Sequence, residues 1–147
     1  MYEKLNELKD WLLSLDYSKI GLPAPAEKNI ILGTVDLSRY ESDLIISIIP
    51  ETEEESEQYN FNDGQGIQLE MTVTILCRGQ SQEKLVETMS AYTDYILDEI
   101  RQDCTLGNIG EGSAIGTRKF YLDAGTVENQ LTASETTLTL LYIRKYE

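Results

Sequence analysis

Two stretches of the chain carry the clearest alternation of apolar and polar positions. Residues 67–77 are apolar at every second position, which is typical of a half-buried strand. Residues 82–103 are apolar at helical spacing, at Leu85, Met89, Tyr92, Ile96 and Ile100. Ser81 precedes this run as an N-cap, and acidic residues occupy the opposite face. The two patterns predict a long helix packed on a sheet.

Weaker patterns predict the remaining elements. Apolar residues at three- and four-residue steps indicate a helix over residues 3–16. Short runs rich in branched or aromatic residues indicate four further strands, over residues 29–37, 43–50, 115–122 and 135–146. The link between the first two is short enough to close a hairpin. We expect a long mobile loop at 51–66, which contains five Glu, a Gly-rich connector at 108–114, and a turn at 123–125.

The predicted order is α-β-β-β-α-β-β. Together with the length of 147 residues, this order predicts one α+β domain spanning 1–147. The expected architecture is a mainly antiparallel five-stranded sheet with two helices packed on one face. The chain has no apolar run of about 20 residues, so no transmembrane helix is expected. Its charged first residues, MYEKLNELKDW, do not resemble a secretion signal.

The charge is strongly negative and unevenly distributed. The formal net charge is −14, and residues 40–77 contain nine acidic residues with no Lys or Arg. Such a chain is not expected to bind nucleic acid tightly or to approach anionic membranes. The candidate contact residues, between copies or with a partner, are the acids Glu53, Glu54, Glu55 and Glu57 and the bases Arg118, Lys119, Arg144 and Lys145. Plain solubility and scattered surface charge explain these residues equally well.

No pattern in the chain points to catalysis. The chain has no histidine, which excludes Ser-His-Asp triads and His-ligated zinc. Cys77 and Cys104 are interpreted as small buried thiols. The acidic loop lacks the spacing of a calcium site, and the glycines at 107–112 lack the ending of a phosphate loop. We therefore expect no catalytic residue, no metal and no cofactor, and a protein that is not an enzyme.

Four segments in succession carry a family resemblance. They are GIQLEMTVTILCRG, the Ser-capped SQEKLVETMSAYTDYILDEI, IGTRKFYLD and ETTLTLLYIRKY. In pattern and order they resemble tail terminator proteins of long-tailed bacteriophages, which are also called tail completion or minor capsid proteins. The leading helix and the two strands before residue 51 also fit. The resemblance covers nearly the whole chain but contains no residue-level motif, so it assigns no role to any individual residue.

The resemblance implies a structural role in the virion tail, with assembly in the host cytoplasm. Subunits of this kind form a hexameric ring that caps the tail tube, stops its polymerisation and offers a surface to the filled head. The implied partners are other copies of the chain, the tail tube protein and a head completion protein. An acidic lining would let DNA pass through the ring without binding.

Other function classes stay open at this point. The first is another head–tail connector or tail structural protein. The second is an acidic DNA mimic that inhibits a nucleic-acid-binding protein, favoured by the charge of residues 40–77. The third is an enzyme that uses carboxylates.

Overall fold

The computed structural model describes residues 1–35, 42–61, 64–126 and 129–145, with side chains at all of these except 57–61, 123–126 and 129. The two α-helices are α1 (Tyr2–Ser14) and α2 (Gln82–Gln102). Short 3-10 helices occupy Tyr17–Ile20 and Glu27–Asn29. The strands are β1 (Ile30–Leu32), β2 (Leu44–Phe61), β3 (Gly64–Gly79), β4 (Gly112–Thr126) and β5 (Asn129–Lys145).

The five strands form one mixed sheet in the order β1-β2-β3-β5-β4. The pairs β2-β3, β3-β5 and β4-β5 are antiparallel, but β1 runs parallel to β2. The α+β class, the five strands and the two helices are confirmed. The expectation of a mainly antiparallel sheet is corrected to a mixed one. None of the described helices is long and apolar enough to cross a membrane.

The parallel pair replaces the hairpin expected between residues 29–37 and 43–50. β1 ends after three residues, because Gly33 takes a positive φ of 131° while its N–H donates to the Ile48 carbonyl. Glycine reaches that backbone conformation without a side-chain clash. The chain therefore leaves the sheet at this point, and no hairpin forms.

Both helices cover one face of the sheet, and the main core lies between. Leu8 and Leu12 of α1 and Ile96 and Ile100 of α2 line a gap of only about 10 Å³, at the lower limit of the space that one water molecule needs. The predicted core residues of β3 are all buried: Leu69, Met71, Val73 and Ile75. On α2, Met89, Tyr92 and Ile96 are buried, whereas Leu85 is only half-buried.

The segment 51–66, expected to be a mobile loop, is mostly strand. β2 stays paired with β3 as far as Phe61 and Gly64, with irregularities between Pro50 and Thr52 and between Ser56 and Asn60. The expectation of a loop was wrong because β3 extends beyond its apolar core, so its first residues pair with the polar residues of β2. Charged side chains are common on strands at the edge of a sheet.

The turn expected at 123–125 is also strand. β4 continues to Thr126, which lies opposite Asn129, and the register shifts between Asp123 and Thr126. Backbone pairing with β5 outweighs the preference of Asp123 and Gly125 for a turn. The shift in register accommodates the irregular backbone at this position.

The Gly-rich connector expected at 108–114 is shorter than expected, because its last three residues already belong to β4, and the segment 106–111 before them packs tightly against the sheet. Leu106 is fully buried, and Leu106, Gly107 and Asn108 all have positive φ. The amide of Glu111 donates to the Leu141 carbonyl at 2.7 Å, which fixes the connector at the edge of β5. The connector is therefore an anchored element of the fold.

Candidate assembly surfaces

The first candidate surface is the acidic edge, which we define as residues 51–55 of β2. Its four Glu side chains are exposed. β1 pairs with β2 only from Ile46 to Ile48, so in the described part of the chain no strand covers the outer edge of β2 beyond Ile48. The acidic edge therefore presents both charge and unpaired backbone groups to solvent. The side chain of Glu57 lies outside the described residues.

Glu53 links three elements through its carboxylate. It accepts hydrogen bonds from the Tyr142 hydroxyl, at 3.1 Å, and from the Arg144 guanidinium, and it lies 3.9 Å from the amino group of Met1. One predicted acid and one predicted base therefore pair within the same chain. Glu54 and Glu55 form no ion pair with another described residue, so their charge is available to a partner.

The second candidate surface is the basic edge, which we define as residues 118–122 of β4, the strand at the other side of the sheet. Arg118 forms an ion pair with Asp94 of α2 at 2.9 Å. Lys119 is exposed and lies opposite Glu135 of β5. Within the described residues, no strand pairs with the outer side of β4.

The two predicted pairs of bases do not form a single patch. β4 and β5 are neighbours, but Arg118 lies opposite Thr136 of β5, eight residues from Arg144. At about 3.4 Å per residue the two pairs are about 27 Å apart. Lys145 is exposed at the far end of the sheet, next to Gly64 of β3.

Three consecutive apolar side chains on the basic edge are exposed, a feature that the charge analysis missed. The exposed fractions of Phe120, Tyr121 and Leu122 are 54%, 46% and 59%. Successive side chains of a strand point to opposite faces, so three apolar residues in a row cannot all enter one core. The rule does not single out this segment in the sequence, because Ile75, Leu76 and Cys77 are also consecutive and are all buried.

A groove of about 850 Å³ lies beside the N-terminal half of α2. It runs between residues 22–26, the start of β2 and the end of β3, and it includes Cys77. Burial, aided by Asp43, raises the pKa of the Cys77 thiol to about 12. The thiol is therefore protonated at neutral pH and is a poor nucleophile.

The expectation that both cysteines are buried is wrong for Cys104. Cys77 is buried, but Cys104 is exposed in the turn after α2. The turn places Leu106, two residues later, in the core instead. Because only Cys104 is exposed, the two thiols should differ in their rate of reaction with a thiol reagent.

We expect only one thiol of the native protein to react quickly with a disulfide reagent at pH 8. At a pKa of about 12, only about one Cys77 side chain in ten thousand is a thiolate at that pH. The number of reacting thiols is measured from the product that the reagent releases, before and after denaturation. Cys104→Ser should abolish the fast phase of the reaction. Equal rates for both thiols in the native protein would show that Cys77 is accessible.

Within the described ranges, no group of three or more His, Cys, Asp or Glu side chains is placed to hold a metal ion. A scan against protein-family models finds no matching family, and a search of curated proteins finds no match.

Proposed function

We propose that this chain is a tail terminator of a long-tailed bacteriophage. In this proposal, copies of the chain form a ring on the growing end of the tail tube. The ring stops the addition of tube subunits and provides the surface to which the filled head attaches. The order of helices and strands, which resembles that of such proteins, is the starting point of the proposal.

The observation that carries the proposal is the separation of charge between the two edges of the sheet. The acidic edge on β2 and the basic edge on β4 lie on opposite sides of one domain. A contact between two different surfaces repeats from copy to copy and closes into a ring when the rotation allows it. The charge distribution therefore favours a ring over a two-fold dimer.

The excess of exposed carboxylates also suits a ring through which DNA travels. Glu54 and Glu70 are exposed on the face of the sheet that the helices do not cover. Carboxylates repel phosphates, so a passage lined by them would not retain the DNA backbone.

Binding to tube ends tests the proposal. Cys104, the exposed thiol, can carry a gold label while Cys77 stays protected. We expect electron microscopy to show label at one end of tail tubes purified without their terminator. Tubes that already carry a terminator are the control and should stay unlabelled. Label along the tube sides, or none at all, would contradict the proposal.

The exposed row of carboxylates on β2 also favours a second candidate, an acidic DNA mimic. Such a protein would occupy the basic surface of a nucleic-acid-binding protein in competition with DNA. Competition with DNA for a DNA-binding protein, combined with no binding to tube ends, would support it. Binding along the tube or to heads would instead support another connector or tail structural protein.

A further inference from the structure

We propose that copies of this chain join by strand pairing, with the basic edge of β4 in one copy added antiparallel to the acidic edge of β2 in the next. The occupant of the free β4 edge is thus a second copy of the same chain. This inference rests on the proposed ring, which it deepens by stating how neighbouring subunits are joined.

Strand directions in the sheet allow this contact without inverting a subunit. β2 and β5 run one way, whereas β3 and β4 run the other way. A neighbouring copy placed beside β4 in the same orientation therefore presents its β2 antiparallel to β4. All helices then lie on one side of the continuous sheet.

We call the contact between β4 of one copy and β2 of the next the join. One register of the join places opposite charges together and apolar residues together. Because Pro50 lies opposite Met71 and Thr52 opposite Glu70, Glu51 is the extra residue of a bulge in β2. Setting Arg118 opposite the next copy's Glu53 joins two ion pairs that already exist within each chain, Arg118 with Asp94 and Glu53 with Arg144, and it brings apolar residues together as well. The facing pairs are Arg118 with Glu53, Lys119 with Thr52, Phe120 with Pro50, and Tyr121 with Ile49.

The side chains of this register also lie on matching faces. Arg118 is on the helix side, where it contacts Asp94 of α2, and Glu53 is on the same side, opposite buried Leu69. Lys119 lies on the other face, diagonal to Glu54 of the next copy. Diagonal neighbours of this kind are within reach of long side chains.

The β1 strand sets the limit of the join. In the neighbouring copy, β1 occupies the edge of β2 from Ile46 to Ile48 and the Gly33 amide bonds the Ile48 carbonyl, so the added strand pairs no further than Ile49. The join therefore requires β4 to bend away from the neighbour's β1 from Leu122 onward. The exposed apolar residues Phe120 and Tyr121 lie at this limit. Their burial supplies the non-polar centre that exposed ion pairs alone do not provide.

The register is also compatible with a closed, curved assembly. Within one chain, Arg118 lies opposite Thr136, which lies opposite Val73, so Arg118 and Val73 are at the same height along the strands. Glu53 lies opposite Leu69, which is four residues from Val73 on β3. Each copy is therefore shifted by about 13 Å along the strands for about 19 Å of sheet width, the width of four strands. This shift corresponds to strands inclined by about 35°, which is within the range of closed barrels.

Disulfide trapping tests the join in the full chain, with Cys104→Ser as background. Phe120→Cys and Pro50→Cys lie on opposite edges, separated by three strand spacings, or about 14 Å, across the sheet and by four residues along it, so they cannot bridge within one copy. In concentrated protein under oxidation, we expect the double variant to form a ladder of covalent trimers and larger species. A mixture of the two single variants should stop at dimers. The control pair, Phe120→Cys with Asp98→Cys on the exposed face of α2, should form no ladder.

Two results of the trapping experiment overturn the join. The first is the absence of a ladder from the double variant. The second is efficient dimer formation by Phe120→Cys alone, which would show that two β4 strands meet each other instead.

A charge exchange gives a second, independent measurement. Lys119→Glu and Glu54→Lys should each raise the dissociation constant for self-association about tenfold, and combining them should restore it. Failure of the combination to restore association contradicts the join. A ladder without binding to tube ends would refute the terminator proposal alone, whereas binding to tube ends without a ladder would refute this join alone.

Discussion

Replacing Ile96 with Asp is expected to destabilise the protein by about 4 kcal/mol or more. Ile96 is 1% exposed and lies between Leu8 of α1 and the sheet residues Val73 and Ile75. A carboxylate there would be buried among apolar groups with no cation beside it. This loss approaches the whole stability of a typical domain, which is about 5–15 kcal/mol. Denaturant unfolding followed by circular dichroism measures it.

Two control variants distinguish the cost of burying a polar group from the cost of burying its charge and from the loss of a surface charge. Asp98→Asn, on the exposed face of α2, removes only the surface pair with Arg101 and should change stability by less than about 1 kcal/mol. The variant Ile96→Asn carries the same shape without a titratable group. Burial raises the pKa of the introduced carboxyl, so Ile96→Asp should regain stability as the pH falls, whereas Ile96→Asn should not. Wild-type stability of Ile96→Asp would refute the packing of α2 on the sheet.

Replacing Gly110 with Ala is expected to cost about 1–3 kcal/mol. A Cβ at this position would lie 2.5 Å from the Leu141 carbonyl oxygen and 2.7 Å from a methyl carbon of Leu140. The oxygen belongs to the backbone of β5 and cannot rotate away, so the connector or the strand must shift. Thermal unfolding of the variant measures the loss.

The matched control for Gly110→Ala is Gly112→Ala, two residues further on. A Cβ at Gly112 has no atom within 4 Å beyond its own chain neighbours. We therefore expect the melting temperature of Gly112→Ala to stay close to that of the wild type. Equal effects of the two substitutions would show that the connector is not seated against β5.

The elements at the centre of the fold could be predicted from the sequence. β3 and α2 each have one buried face and one exposed face, so the spacing of their apolar residues shows which face packs in the core. The second half of β2 could not be found in this way, because an edge strand with exposed charges has no apolar period. The sequence Asn62-Asp63-Gly64 is typical of a hairpin turn and was the available clue to two paired strands.

The candidate surfaces were only partly predictable, for a related reason. Composition identified the acidic and basic residues, but their partners depend on strand register. Glu53 and Arg144 are 91 positions apart in the sequence, and Asp94 and Arg118 are 24 apart. Only the folded sheet shows that these pairs form within one chain and that Lys119 and Glu54 stay available.

The measurement that tests the central claim most directly is the length of tail tubes grown in the presence of the protein. Tube protein is polymerised in vitro, and the chain is added at a chosen time. We predict that tubes stop at the length reached when the chain is added and carry extra density at one end. An equal amount of the Ile96→Asp variant should have no effect. Tubes that keep growing past that length, with no density at their ends, would contradict the terminator account.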